Sequence, residues 1–157
     1  MTNGEHTLPP RLQEIVEEFQ WAEGQEKLEL LLEYALQMPE LPDHLRDARP
    51  SMEQVHECMT PVFVLAERDG PGLHFYFDIP EEAPTVRGYA GVLGRGLDGV
   101  EPQAILQVPL NFYEVMGLQE VLSPRRLNGA HAMLAYLKRL ATRELAADGQ
   151  PTAATAS

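Results

Sequence analysis

The stretch VFVLAERDGPGLHFYF, residues 62–77, decides the fold. Val62 to Ala66 and Leu73 to Phe77 are β-branched, aromatic and apolar. Asp69-Gly70-Pro71-Gly72 between them is turn chemistry, so the stretch predicts two strands of an antiparallel hairpin. Helical spacing surrounds it on both sides.

Upstream, Leu12, Ile15, Val16 and Phe19 fall at i, i+3, i+4 and i+7, with Arg11, Glu14, Glu17 and Glu18 on the other side, which is an amphipathic helix. Gly24 marks its break. Leu28, Leu31, Leu32, Ala35 and Leu36 repeat the spacing until Met38-Pro39 closes a second helix, so the chain opens with two antiparallel helices. Residues 39–51 carry three prolines and no clear period, and read as an extended loop leading to Cys58.

Downstream, Val86, Tyr89, Ala90 and Leu93 return to helical spacing, and Gly94, Gly96 and Gly99 are expected to end that segment. Short helices are expected over Pro102 to Gln107 and Asn111 to Met116. Ser123-Pro124 is an N-cap followed by proline at the first helical position, and Ala130, Met133, Leu134, Leu137 and Leu140 supply the apolar stripe of a closing helix. After Leu145 the sequence AADGQPTAATAS has too little apolar surface to offset ordering entropy. The expected organisation is therefore a flexible N-terminus over residues 1–8, one α+β domain over 9–145, and a disordered tail over 146–157.

A chain of 157 residues, 44% hydrophobic, is the size of one domain with a sizeable core. Its 24 acidic and 12 basic residues give a formal charge of −12, which repels phosphate backbones and anionic headgroups. Nucleic acid and membrane are thus not expected as partners. No basic stretch followed by an apolar run opens the chain, and a cytoplasmic location is expected. One cysteine excludes an intramolecular disulfide and a multi-cysteine zinc or iron–sulfur site within one chain, and it suits a reducing compartment.

Cys58 is the one strong nucleophile placed in a loop just before a strand. Lone cysteines are often inert small hydrophobes, and composition by itself favours that reading. Glu53 and Glu57 would raise the thiol pKa, whereas a protonated His56 would lower it. The histidines, at 6, 44, 56, 74 and 131, include no i, i+4 pair and no HExxH, so a helical zinc site has little support. His74 alternates with apolar neighbours in a strand and reads as solvent-facing. Arg125 and Arg126 sit near a helix N-terminus, against the dipole preference; a violated local rule can mark a functional site, or the two can simply cover apolar surface. No phosphate loop and no GxSxG is present.

In order, VHECMTPVF at 55–63, VRG at 86–88 and LSPRRLNG at 122–129 resemble the landmarks of the SufE family. The similarity extends from about Leu8 to Leu145 and includes Met38-Pro39-Glu40-Leu41 and Phe112 with Gly117-Leu118. The resemblance implies an α+β fold shared with U-type iron–sulfur scaffolds, with a small antiparallel sheet packed against helices. It also implies an accessory protein rather than an enzyme. On that pattern Cys58 takes persulfide sulfur from a SufS-type cysteine desulfurase, stimulates it, and delivers the sulfur to an iron–sulfur scaffold. The pyridoxal phosphate belongs to the desulfurase; no metal or cofactor is expected on this chain, which is expected to be a monomer or weak homodimer. Arg126 matches the family's arginine and is expected to assist docking or stabilise anionic sulfur, with Asn128 and Gly129 shaping the turn beside it. His56 and Glu57, immediately before the nucleophile, are expected to belong to the same binding site.

Where family members commonly have glycine before the cysteine and often tryptophan in the next strand, this chain has Glu57 and Phe63, and Thr60 replaces a serine. If position 57 demanded φ > 0, Glu57 would bring strain or a different loop path. Rival readings are a U-type scaffold, which needs several thiolates, a module in which Cys58 is merely packed, and a paralogous carrier serving another sulfur pathway.

Overall fold

A computed structural model describes residues 8–149. Helix α1 (Pro10–Trp21) starts with proline at its first position, and α2 (Gln25–Gln37) follows it. Single 3-10 turns at Asp43–Leu45 and Arg49–Ser51 lead into a two-residue strand, β1 (Glu53–Gln54). Strands β2 (Phe63–Asp69) and β3 (Gly72–Asp78) form the expected hairpin, and the sheet runs β1-β2-β3, antiparallel throughout. Helices α3 (Pro84–Gly96), α4 (Pro102–Gln107) and α5 (Pro124–Gly149) complete the α+β architecture.

The period of two along β2 and β3 sends Val64, Leu73, Phe75 and Phe77 inward, with Val64 opposite Phe77. Helices α3 and α5 cover that inner face. The outer face is crossed by the 39–51 segment: His44 lies 3.0 Å from Glu67, Arg49 pairs with Asp78, and the Arg49 guanidinium sits 4.7 Å from the centre of the Phe63 ring. What reads in the sequence as an irregular loop is a strap tied to the sheet by charge and stacking.

Helix α3 is longer than its glycines suggest. A Cβ on Gly88 would lie 2.2 Å from the Leu31 carbonyl oxygen, and one on Gly91 would lie 2.8 Å from that of Tyr34. These glycines let α2 and α3 approach backbone to backbone, and Gly94 and Gly96 continue the helix where a stop was expected. Lys27, 4% exposed, donates to the carbonyls of Phe19 at 2.5 Å and Ala22 at 2.8 Å, so its buried ammonium is held by carbonyls at the C-terminal end of α1.

Three further details differ from expectation. Strand β1 is additional, Asn111–Met116 holds only a 3-10 turn at Phe112–Glu114, and His74 is half-buried and paired with Asp98. Helix α5 continues to Gly149, four residues past Leu145, while residues 1–7 and 150–157 of the expected flexible ends lie outside the described residues.

Candidate functional site

The cysteine loop is closed at its base by two valines. Val55 N–H donates to the Val62 carbonyl at 2.9 Å and both side chains are fully buried, so residues 56–61 project as a short loop between β1 and β2. Within it Cys58 N–H turns back to the Val55 carbonyl at 3.3 Å. No described residue other than glycine has positive φ, so Glu57 sits in ordinary backbone and carries no left-handed strain.

The Cys58 side chain turns toward α5. Its S–H lies 3.8 Å from the Gly129 carbonyl oxygen, and a Cβ on Gly129 would be 3.2 Å from Sγ. Ser123 Oγ accepts the Arg126 N–H at 3.3 Å, which is the N-cap read from Ser-Pro, and it sets the first turn of α5 beside the cysteine. Burial, with the Glu57 carboxylate second, pushes the thiol up to about 11.

A cavity of about 630 Å³ opens beside Cys58, bounded by α3 through Val86 and Tyr89 and by α5 through Ala130 and Met133. Arg125 and Arg126 stand at it, and neither pairs with a carboxylate among the described residues, although the chain carries a net charge of −12. Arg126 Nη1 donates to Thr85 Oγ1 at the start of α3, and Arg125 Nη1 reaches the Met59 sulfur at 3.7 Å. Met59 itself is 73% exposed, next to the nucleophile. The cavity is thus lined mainly by apolar side chains, with the exposed Arg125, Arg126 and Glu82 among its lining residues, so two guanidiniums against one carboxylate leave a net positive charge beside the cysteine.

Of the residues singled out by sequence, Cys58, Arg126 and Gly129 share this cavity, whereas His56, Glu57 and Asn128 are exposed and do not line it. Arg125, noted for breaking the dipole rule, also lines it. Nothing in the residue pattern places Thr85 or Tyr89 there; only the packing of α3 against α5 does so. Among the described residues no three His, Cys, Asp or Glu side chains gather to hold a metal, and no described helix is long and apolar enough to cross a membrane. A second cavity of about 260 Å³, lined by His74, Arg95 and Asp98, does not include Cys58.

The family model described as "SufE: Fe-S metabolism associated domain" matches residues 13–141. A SufE-like protein of Mycobacterium tuberculosis is 46% identical over 134 residues, covering 85% of this chain and 92% of its own. SufE-like protein 1, chloroplastic/mitochondrial, of Arabidopsis thaliana is 32% identical over 85% of this chain and 35% of its own length. The solution structure of a hypothetical protein from Thermus thermophilus superposes with a TM-score of 0.78 at 39% identity, over 89% of this chain and 99% of that one.

Proposed function

The chain belongs to the SufE family of accessory sulfur-transfer proteins, and from that premise we propose that Cys58 accepts sulfur from a cysteine desulfurase and passes it on for iron–sulfur cluster assembly. The observation that carries the reading is the placement of the only cysteine: on a pinched loop, with its sulfur beside a cavity edged by two guanidiniums.

The transfer is thiol–disulfide exchange with a different leaving group. The Cys58 thiolate attacks the outer sulfur of the partner's cysteine persulfide, a new S–S bond forms on Cys58, the partner's S–S bond breaks, and the electron pair leaves with the partner's thiolate. An acceptor thiolate on the scaffold then repeats the exchange and releases Cys58. Neither step changes the total oxidation state, so neither calls for a redox cofactor on this chain.

With its thiol pushed up to about 11, Cys58 is almost wholly protonated near neutral pH in the free protein. Activation therefore comes with docking, when a positive surface of the desulfurase offsets Glu57 and draws the thiolate out from against Gly129. Cytoplasm is the proposed place of action.

Stimulation of the cognate desulfurase tests the reading. Alanine formation from cysteine is expected to rise several-fold with the wild-type chain and not with Cys58→Ala. Equal stimulation by both would reduce the protein to an interaction module and reject the carrier role.

A further inference from the structure

Helix α2 carries Leu28, Leu31, Leu32, Ala35 and Leu36 at helical spacing, yet of these only Leu31 and Ala35 are buried. Leu32 is 41% exposed and Leu36 88% exposed. Leu28, one turn before Leu32, is partly buried and lines the Cys58 cavity. At i, i+4 and i+8 the three leucines form one stripe, which starts at the cavity and runs up the outside of α2. Met59 continues the apolar surface on the cysteine loop, at the same cavity. A single exposed leucine needs no explanation, whereas a row of them ending beside the nucleophile does.

We propose that this stripe, together with Met59, is the surface on which the cysteine desulfurase docks, seating α2 in an apolar groove flanked by basic side chains. The inference rests on the carrier reading and names the surface that holds its partner. Reach is the first argument. A partner that contacts Cys58 covers more than the sulfur, because a standard interface buries about 800 Å² on each side, a disc about 30 Å across. Leu36 lies about 12 Å along α2 from Leu28, so a disc centred near the cavity takes in the stripe.

Charge is the second argument. Glu26, Glu29 and Glu33, all exposed, run beside the leucines on a chain of net charge −12. A basic rim on the partner complements them and steers the encounter, while apolar contact along i, i+4 and i+8 supplies affinity. A second copy of this chain fits worse, since a two-fold contact through the stripe would set these carboxylates against their own copies.

The test titrates the full chain into its cognate desulfurase, reading affinity by calorimetry and stimulation by alanine formation, for wild type, Leu32→Ser, Leu36→Ser and Leu36→Lys. Leu32→Ser and Leu36→Ser are each expected to bind about tenfold more weakly. The concentration giving half-maximal stimulation should rise by the same factor while the plateau holds. Leu36→Lys should bind more weakly again than Leu36→Ser, because it meets the basic rim. Leu36 is so exposed that its variants should melt as wild type does, and they decide alone if Leu32→Ser melts lower.

Equal affinity in all four, with the wild type still gaining sulfur on Cys58, overturns the docking surface and leaves the carrier reading standing. A wild type that neither binds nor gains sulfur ends both. A lowered plateau at unchanged half-maximal concentration would place the leucines in the transfer step and reject docking. Variants that keep their desulfurase affinity but lose a self-associated form in sedimentation would assign the stripe to a homodimer instead. Tighter binding by Leu36→Lys than by Leu36→Ser would overturn the basic rim.

Discussion

The Cys58 sulfur lies so close over Gly129 that a Cβ at position 129 would sit 3.2 Å from Sγ, near enough that the sulfur would have to give way by a few tenths of an ångström. Seventy-one positions apart in sequence, they join the cysteine loop to the closing helix. The size of residue 129 thereby decides how far the nucleophile can retreat.

Gly129→Ala is accordingly expected to displace Cys58 outward by a few tenths of an ångström and to speed alkylation by iodoacetamide several-fold at fixed pH. Alanine also favours a helix over glycine by about 1 kcal/mol, so the melting temperature should change little. An unchanged alkylation rate would show that the contact does not restrain the sulfur.

The pH dependence of alkylation reports the environment of Cys58. Reactivity should climb toward a midpoint of about 11, and Glu57→Gln should bring that midpoint down, by less than Cys58's full shift because burial is the larger cause. Stability follows the same linkage. Between the ordinary thiol pKa and about 11, the unfolded chain has released the Cys58 proton and the native chain has not, so stability falls as pH rises through that window. Cys58→Ala should remove that part of the slope in denaturant titrations.

Arg126 ties α5 to the first turn of α3 through Thr85 while standing at the cavity. Arg126→Gln should cost under about 1 kcal/mol of stability, because the bond is exposed, yet lower sulfur transfer from the desulfurase by about tenfold. A loss of transfer matched by a large loss of stability would assign the residue to the fold instead.

The α2–α3 seam gives a structural control. Gly88→Ala would drive a Cβ to within 2.2 Å of the Leu31 carbonyl, and overpacking of that kind costs about 3 kcal/mol, read as a lower denaturant midpoint.

Much of this arrangement was legible in the residues because it rests on local periodicity. Leu12, Ile15, Val16 and Phe19 are buried as their spacing required, and Val64, Phe75 and Phe77 face inward as alternation required. The glycines of α3 misled because the sequence cannot distinguish a helix stop from a close helical approach; only the carbonyls of Leu31 and Tyr34 across the seam decide. Strand β1 is two polar residues, Glu53 and Gln54, which pair because β2 offers an edge rather than from any propensity of their own.

At the site, Cys58 stood out by chemistry and Arg125 and Arg126 by breaking a rule. Tyr89 carried no such mark. Its spacing with Val86 and Leu93 is that of any core residue, and its place beside the cavity exists only in three dimensions.

The carrier role itself stands or falls on the mass of the protein. After incubation with its cognate desulfurase and cysteine without reductant, the wild-type chain should gain about 32 Da, lose it to a thiol reductant, and show no gain as Cys58→Ala. A desulfurase that is demonstrably active yet leaves the wild-type mass unchanged, or an increment that persists in Cys58→Ala, would contradict the assignment of Cys58 as the sulfur acceptor.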